Sequence, residues 1–233
     1  MEKAVILAAG RGTRMGELTD ERPKPMIELR GKPLLEHILD RLRAAGFTKA
    51  FLVTGYKAEM IESYFRNYPM EIAFGRQQTM DGTAHAALLA REWVGSDAFL
   101  LTYGDILTEA EDYAAMVSAL GDHAAVLSVK WVDDPWQGAA VYVTGHVVTR
   151  IIEKPGRGTS STHWNSAGGY IFRNEIFEEF AGVPKSVRGE YEITSGIERL
   201  LGGERGVVIH ALRGEWRDVG RPDDLAIAEG MVE

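Results

Sequence analysis

A chain of 233 residues is long enough to bury a sizeable core unaided. With no cysteine, it excludes disulfide frameworks, thiolate metal sites and a cysteine nucleophile. Lys plus Arg number 26 against 34 Asp plus Glu; this formal net charge of −8 argues against coating nucleic acid or binding an anionic membrane, though a local basic cluster for one small anion stays compatible.

The first apolar run, Ala4 to Ala9, is too short for a signal-peptide core or a membrane span, so the expected compartment is the cytoplasm. Further runs follow at Ala50 to Thr54, Glu71 to Phe74, Ala98 to Tyr103 and Ala124 to Lys130. Continuous apolar strands of this kind suit a parallel sheet covered on both faces. Helical periods lie between them. Leu34, Leu35, Ile38, Leu39 and Leu42 recur at helix spacing, with Gly46 as the stop; Lys57 to Tyr68, Thr83 to Trp93 and Glu109 to Leu120 also read as helices. Such alternation predicts an α/β fold, Rossmann-like, with a mixed, mostly parallel sheet and helices on both faces. After residue 131 the pattern changes to a strand pair, Gln137 to Val143 and Val147 to Ile152, around Thr144-Gly145. A Gly/Ser/Thr loop at Gly156 to Thr162 precedes a strand at Trp164 to Phe172. Helices are expected at Asn174 to Phe180, Glu190 to Leu201 and Pro222 to Glu229, with a strand at Val207 to Leu212.

Glycines number 26, and their arrangement at the N-terminus is informative. Val5-Ile6-Leu7-Ala8-Ala9-Gly10-Arg11-Gly12-Thr13-Arg14 runs a buried strand into two glycines one residue apart. Glycines let backbone amides approach an anion, and the carboxyl end of a parallel strand is where such folds bind ligands. A dinucleotide fingerprint needs a third glycine where Met15 stands, and a Walker loop needs a Gly-Lys-Ser/Thr that is absent. What is left is Gly-x-Gly-Thr-Arg, followed ten residues on by Lys24 within Pro23-Lys24-Pro25. Glu17 to Pro25 reads as a loop, and its two prolines are expected to hold Lys24 in extended backbone. Arg14 and Lys24 beside a glycine turn suit a polyphosphate; the same pattern also fits a tight turn with two surface cations.

The run from Val5 to Leu35 resembles the signature of the sugar-1-phosphate nucleotidylyltransferases, enzymes of the nucleotide-diphospho-sugar transferase fold, and the likeness continues in order over nearly the whole chain. It implies one nucleotidyltransferase domain over residues 1–233, with a nucleotide-binding part at 1–130 and a sugar-phosphate-binding part at 131–233. The resemblance assigns the base and ribose to the backbone of Leu7, Ala8, Ala9 and Gly10, and the outer phosphates to Gly12, Thr13 and Arg14. Lys24 would lie between the nucleotide phosphates and the sugar phosphate. Gln77, then Asp81-Gly82-Thr83-Ala84-His85, resembles the base-reading segment, with Gln77, Gly82 and Thr83 as its contacts; Gln77 leans toward UTP or dTTP over GTP. His85 receives no chemistry.

Tyr103-Gly104-Asp105 and Trp216-Arg217-Asp218-Val219-Gly220 resemble the family's two acidic motifs, so the resemblance implies Mg²⁺ on Asp105 and Asp218. Two carboxylates suit Mg²⁺ when phosphates and water supply its other ligands. The likeness further assigns the sugar phosphate and its hydroxyls to Gly138, Glu153, Lys154, Ser166 and Glu192. At Asn165-Ser166-Ala167-Gly168 the chain departs from the family's asparagine-alanine-glycine, with serine where the asparagine is usual. The implied partners are a nucleoside triphosphate and a sugar 1-phosphate, with no nucleic acid and no membrane, and a homo-oligomer is compatible. The chain ends soon after the second acidic motif without a hexapeptide-repeat tract, so an effector site built from further C-terminal helices is not expected. Two rivals are GTP, CTP or a non-sugar phosphate acceptor in the same chemistry, and a catalytically silent regulatory subunit; the latter expects loss of Arg14, Lys24, Asp105 or Asp218, and all four are present.

Overall fold

The computed structural model describes residues 1–232. In chain order its elements begin with β1 (Lys3–Leu7), β2 (Glu28–Leu29), β3 (Lys32–Pro33), α1 (Leu34–Ala44), β4 (Lys49–Thr54), α2 (Ala58–Phe65) and β5 (Glu71–Arg76). Then come α3 (Thr83–Leu88), α4 (Arg91–Val94), β6 (Phe99–Tyr103), β7 (Ile106–Thr108), α5 (Ala110–Ala119), β8 (Ala125–Trp131), β9 (Ala139–Thr144) and β10 (Val147–Glu153). The last are β11 (Trp164–Phe172), α6 (Ile176–Ala181), α7 (Ile193–Leu200), β12 (Val207–Ala211), β13 (Trp216–Asp218) and α8 (Asp223–Gly230).

The main sheet has the order β5-β4-β1-β6-β11-β8-β12-β10-β9. Strands β5, β4, β1 and β6 pair in parallel, as do β8 and β12, whereas β11 and β10 run against their neighbours. The sheet is therefore mixed, as the sequence predicts. Both faces are dry. Along β1, Val5 and Leu7 enter one core with Ala84 and Ala87 of α3, Phe177 of α6 and Ile197 of α7. Ala4 and Ile6 enter the other, with Leu35 and Leu39 of α1, Phe65 of α2 and Met116 of α5. This period-two alternation with apolar residues on both faces is why β1 reads as an unbroken apolar run.

α1 ends as expected: Gly46 takes a φ of 94° and its N–H donates to Arg43. Three expectations are corrected. The single helix over Thr83–Trp93 divides into α3 and α4, because the Leu89 and Ala90 N–H groups tighten onto Ala86 and Ala87, three residues back. The loop from Glu17 to Pro25 carries 3-10 turns at its two ends, Thr13–Thr19 and Lys24–Met26. Lys24 is thus not extended. Pro23 is, and Lys24 opens a turn closed by Ile27 N–H donating to the Lys24 carbonyl at 3.0 Å. Two short pairings, β2 with β3 and β7 with β13, carry no sequence periodicity and were not foreseen. Among the described residues no helix is long and apolar enough to cross a membrane.

Candidate active site

The glycine turn lies beyond the carboxyl end of β1. Its backbone is tied to both neighbouring strands: Ala8 N–H donates to Val53, and Gly104 N–H donates to Leu7. Gly12 has a φ of 70°, and a Cβ there would come within 2.8 Å of Lys24 Cβ. Glycine is required on both counts. The turn folds against the Lys24 stem and leaves the ammonium at the far end.

Lys24 Nζ donates to Asp105 Oδ2 at 2.6 Å and lies 3.9 Å from Asp218 Oδ1. The three side chains come together through the β7–β13 ribbon. Asp218 faces Ile106 in that pairing, and Val219 N–H donates to the Asp105 carbonyl at 2.9 Å. Burial and the neighbouring Asp105 charge push the Asp218 carboxyl above the usual range, against the pull of Lys24 and Arg14. Among the described residues no group of three or more His, Cys, Asp or Glu forms a metal cage. A hard cation here would find two converging carboxylates, a donor set that fits Mg²⁺ when a polyphosphate and water complete its shell.

β13 is held at its approach. Asp112, buried on α5, accepts from the Arg213 and Gly214 N–H groups, and His210 lies 2.8 Å from its Oδ1. Trp216 Nε1 donates to the Ala167 carbonyl at 2.8 Å, binding the ribbon to an irregular stretch of β11 between Ser166 and Tyr170.

Four cavities adjoin around this centre. One of 290 Å³ is lined by Leu7, Ala8, Gly10, Gly12, Thr13, Arg14, Lys24 and Asp105. A second of 280 Å³ is lined by Leu7, Ala9, Gly10, Gln77, Gly82 and Thr83, with Asp105 at its edge. A third of 320 Å³ holds Arg14, Glu153, Lys154, Glu192 and Asp218, and the largest, 610 Å³, continues past Gly138 and Ser166 to Trp136 and Trp216. Every candidate residue read from the sequence lines one of these cavities, and Arg14 borders three.

The sugar-side candidates are closely constrained. Lys154 takes a left-handed φ of 42°, and its N–H donates to the Gly138 carbonyl at 2.7 Å. A non-glycine residue in that region costs backbone strain, and the bond to Gly138 helps to hold it there. Burial, then the Glu192 charge, pushes Glu153 above the usual carboxylate range against Lys154 and Arg188. Ser166 Oγ is committed to Tyr170 Oη at 2.8 Å, while the preceding Asn165 is buried with its side chain filling the space beside Gly138.

Sequence reasoning missed Arg188, Tyr103, Trp136 and Trp216 as lining groups. Arg188 Nη1 sits 3.1 Å from Glu192 and 3.4 Å from Glu153 and lines the 320 Å³ cavity, a third cation there beside Arg14 and Lys154. It stands in a loop without periodicity, and only its neighbour Glu192 offered a sequence signal.

A glycine turn, an acidic pair on one lysine and a second cationic cavity thus adjoin at one place in the fold. A sequence model of the nucleotidyl transferase family matches residues 3–232, and the chain belongs to that family. It is 34% identical over 229 residues to the bifunctional protein GlmU of Methanococcus maripaludis, covering 97% of this chain and 53% of that protein. The corresponding protein of Methanocaldococcus jannaschii is 38% identical over 223 residues, with 95% and 52% covered. The chain thus spans about half the length of these curated relatives. The UTP–glucose-1-phosphate uridylyltransferase AglF of Haloferax volcanii is 36% identical, covering 99% of this chain and 96% of that one. In fold, the chain superposes on a UDP-glucose pyrophosphorylase solved with UDP-glucose at a TM-score of 0.90, with 21% identity over 99% of this chain and 98% of the other. The fold is that of the nucleotide-diphospho-sugar transferases.

Proposed function

We propose that the protein transfers a nucleotidyl group from UTP or dTTP to a sugar 1-phosphate, releasing pyrophosphate and forming a nucleotide-sugar. The observation that carries this reading is the position of Lys24. Its ammonium bonds Asp105 at 2.6 Å where the cavity of the glycine turn meets the sugar-side cavities. The uridylyltransferase named above, similar along nearly its whole length, supports the pyrimidine nucleotide and the sugar 1-phosphate.

In this reading a sugar-phosphate oxygen attacks the α-phosphorus in line, the bond from that phosphorus to the β-phosphate oxygen breaks, and the electron pair leaves on pyrophosphate. A phosphate monoester with a second pKa of about 6 is mostly ionised at pH 7, so no side chain need remove a proton. The obstacle is bringing two polyanions together, and positioning with fixed cations carries the rate. Gly12 and Thr13 present backbone N–H groups to the outer phosphates, and Arg14 steadies the departing pyrophosphate. Lys24 bridges the two substrates, and Lys154 grips the sugar phosphate. Glu153 and Glu192 accept sugar hydroxyls, with Gly138 and Ser166 shaping the wall. Leu7, Ala8, Ala9 and Gly10 hold base and ribose by their backbone. Gly82 and Thr83 close on the base, and the Gln77 side-chain oxygen accepts from a pyrimidine N3–H. Asp105 and Asp218 would hold Mg²⁺, which would supply charge neutralisation for the phosphates. A cytoplasmic location is part of this proposal, and the lack among the described residues of a helix able to cross a membrane is compatible with it.

The test is pyrophosphate release with Mg²⁺ across five nucleoside triphosphates and a panel of hexose, hexosamine, N-acetylmuramate and heptose 1-phosphates. Release that needs both substrates and prefers UTP or dTTP is expected. Silence across the grid from protein that still binds a triphosphate would overturn the reaction and promote the regulatory-subunit reading.

A further inference from the structure

His85 has no place in the chemistry above, yet it joins two segments that together line two adjoining cavities. Its Nδ1 lies 2.9 Å from Asp81 Oδ2, and its ring stacks on Tyr191 with centroids 3.6 Å apart and planes 14° from parallel. The backbone repeats the join. Tyr191 N–H donates to the Asp81 carbonyl at 2.8 Å, Ala84 N–H to the Tyr191 carbonyl at 2.9 Å, and Ile193 N–H to Thr83 Oγ1 at 3.1 Å. Gly82, with a φ of 135°, packs so closely that a Cβ would collide with the Tyr191 backbone.

The two segments border adjoining cavities, and Thr83 of one and Glu190 of the other line both. Gln77, Gly82 and Thr83 line the 280 Å³ cavity, and Gln77 Nε2 donates to the Gly82 carbonyl at 3.1 Å. The residue after Tyr191 is Glu192, which holds Arg188 at 3.1 Å in the 320 Å³ cavity. The backbone bonds run from Asp81 to Ala84 against Tyr191 and Ile193, and the stacked ring adds a side-chain contact beyond them.

We propose that His85 is a positioning residue that couples occupancy of the base cavity to the geometry of the sugar-side cavity. The inference rests on the proposed function for which ligand each side receives, but the coupling itself concerns the protein alone. By linkage, a nucleotide that orders Gln77 to Thr83 favours the arrangement of Glu192 and Arg188 that takes the sugar phosphate, and the sugar phosphate favours nucleotide binding equally.

The experiment compares wild type, His85→Ala and His85→Phe, the last keeping the stack and losing the bond to Asp81. Amide hydrogen exchange over residues 188–195 is followed with and without UTP and Mg²⁺. UTP is expected to slow exchange there in wild type and in His85→Phe, and not in His85→Ala. In turnover, His85→Ala should raise the KM for each substrate by a similar factor, about fivefold or more, when the other is saturating, and His85→Phe should recover most of the loss. Equal slowing by UTP in His85→Ala, or a fall in kcat alone that the phenylalanine does not rescue, would overturn the coupling. A wild type silent with every sugar 1-phosphate would overturn the proposed reaction, and the exchange comparison would still decide the coupling.

Discussion

Lys24 and Asp105 stand 81 residues apart in the chain and form a 2.6 Å charge-assisted hydrogen bond. The lysine is nearly buried, with its side chain 6% exposed, and the aspartate is 29% exposed. A buried ammonium needs this partner, since breaking such a pair strands the remaining charge. Asp105→Asn is therefore expected to stay folded yet lose about 1–2 kcal/mol, the value for a buried pair discounted for the exposed aspartate. Thermal unfolding reads that loss, and pyrophosphate release should fall to near background. Normal turnover in the folded variant would remove Asp105 from the chemistry.

Asp112 gives a pH dependence. Burial pushes its carboxyl upward, but His210 and the Arg213 and Gly214 N–H groups outweigh it and hold the acid below its ordinary range. An acid with a depressed folded pKa stabilises the fold above its unfolded pKa, and this contribution fades as pH falls through the folded value. Asp112→Asn should thus cost about 1–3 kcal/mol at pH 7, because buried donors lose a charged acceptor. The gap to wild type should narrow below pH 4. A gap that is constant from pH 7 to pH 3 in denaturant titrations would contradict this.

Glu153 works in the other direction. Its folded pKa is raised, by burial and then by Glu192, so its ionisation opposes folding at pH values above the ordinary carboxylate range. Glu153→Gln is expected to gain up to about 1 kcal/mol at pH 7 and nothing at pH 3, where both states hold the proton. The same variant should raise the KM for the sugar 1-phosphate several-fold. Stability bought with lost function is the usual mark of a strained site. A variant that is less stable at pH 7 than wild type would show that Arg188 and Lys154 more than compensate the buried charge.

Gly82→Ala tests the junction with Tyr191 from the backbone side. The residue has a φ of 135°, and its new methyl would meet the Tyr191 backbone, which cannot rotate away. A loss of about 2 kcal/mol or more is expected, visible as a lowered Tm, together with weakened UTP binding.

Much of this was legible in the chain, for identifiable reasons. β1, β4, β6 and β8 are buried on both faces, so each writes an apolar run into the sequence. α1 writes its stripe at helix spacing. The ribbon of β7 and β13 wrote nothing: its strands have three residues each, and Trp216, Arg217 and Asp218 share no alternation of character. Only likeness to a family linked Asp105 to Asp218, whereas the pairing of Asp218 with Ile106 shows the physical link. At Lys24 the flanking prolines speak for extended backbone, whereas the chain turns there, with the side chain packed on Gly12 and bonded to Asp105. The stack of His85 on Tyr191 depends on two segments more than a hundred residues apart, beyond any local pattern.

The place of β11 in the sheet governs how the protein can be made. It bonds β6 on one side and β8 on the other, so strands translated early stay unpaired along those edges until residue 172 has been synthesised. Until then the ribosome carries a chain with two bare strand edges, which invite pairing with other nascent chains. The reaction centre is therefore completed late, although its glycine turn, Lys24 and Asp105 are translated early. Asp218 cannot reach Asp105 before β12 and β13 have followed β11 into place, and a chain halted short of that point offers the glycine turn without its second carboxylate.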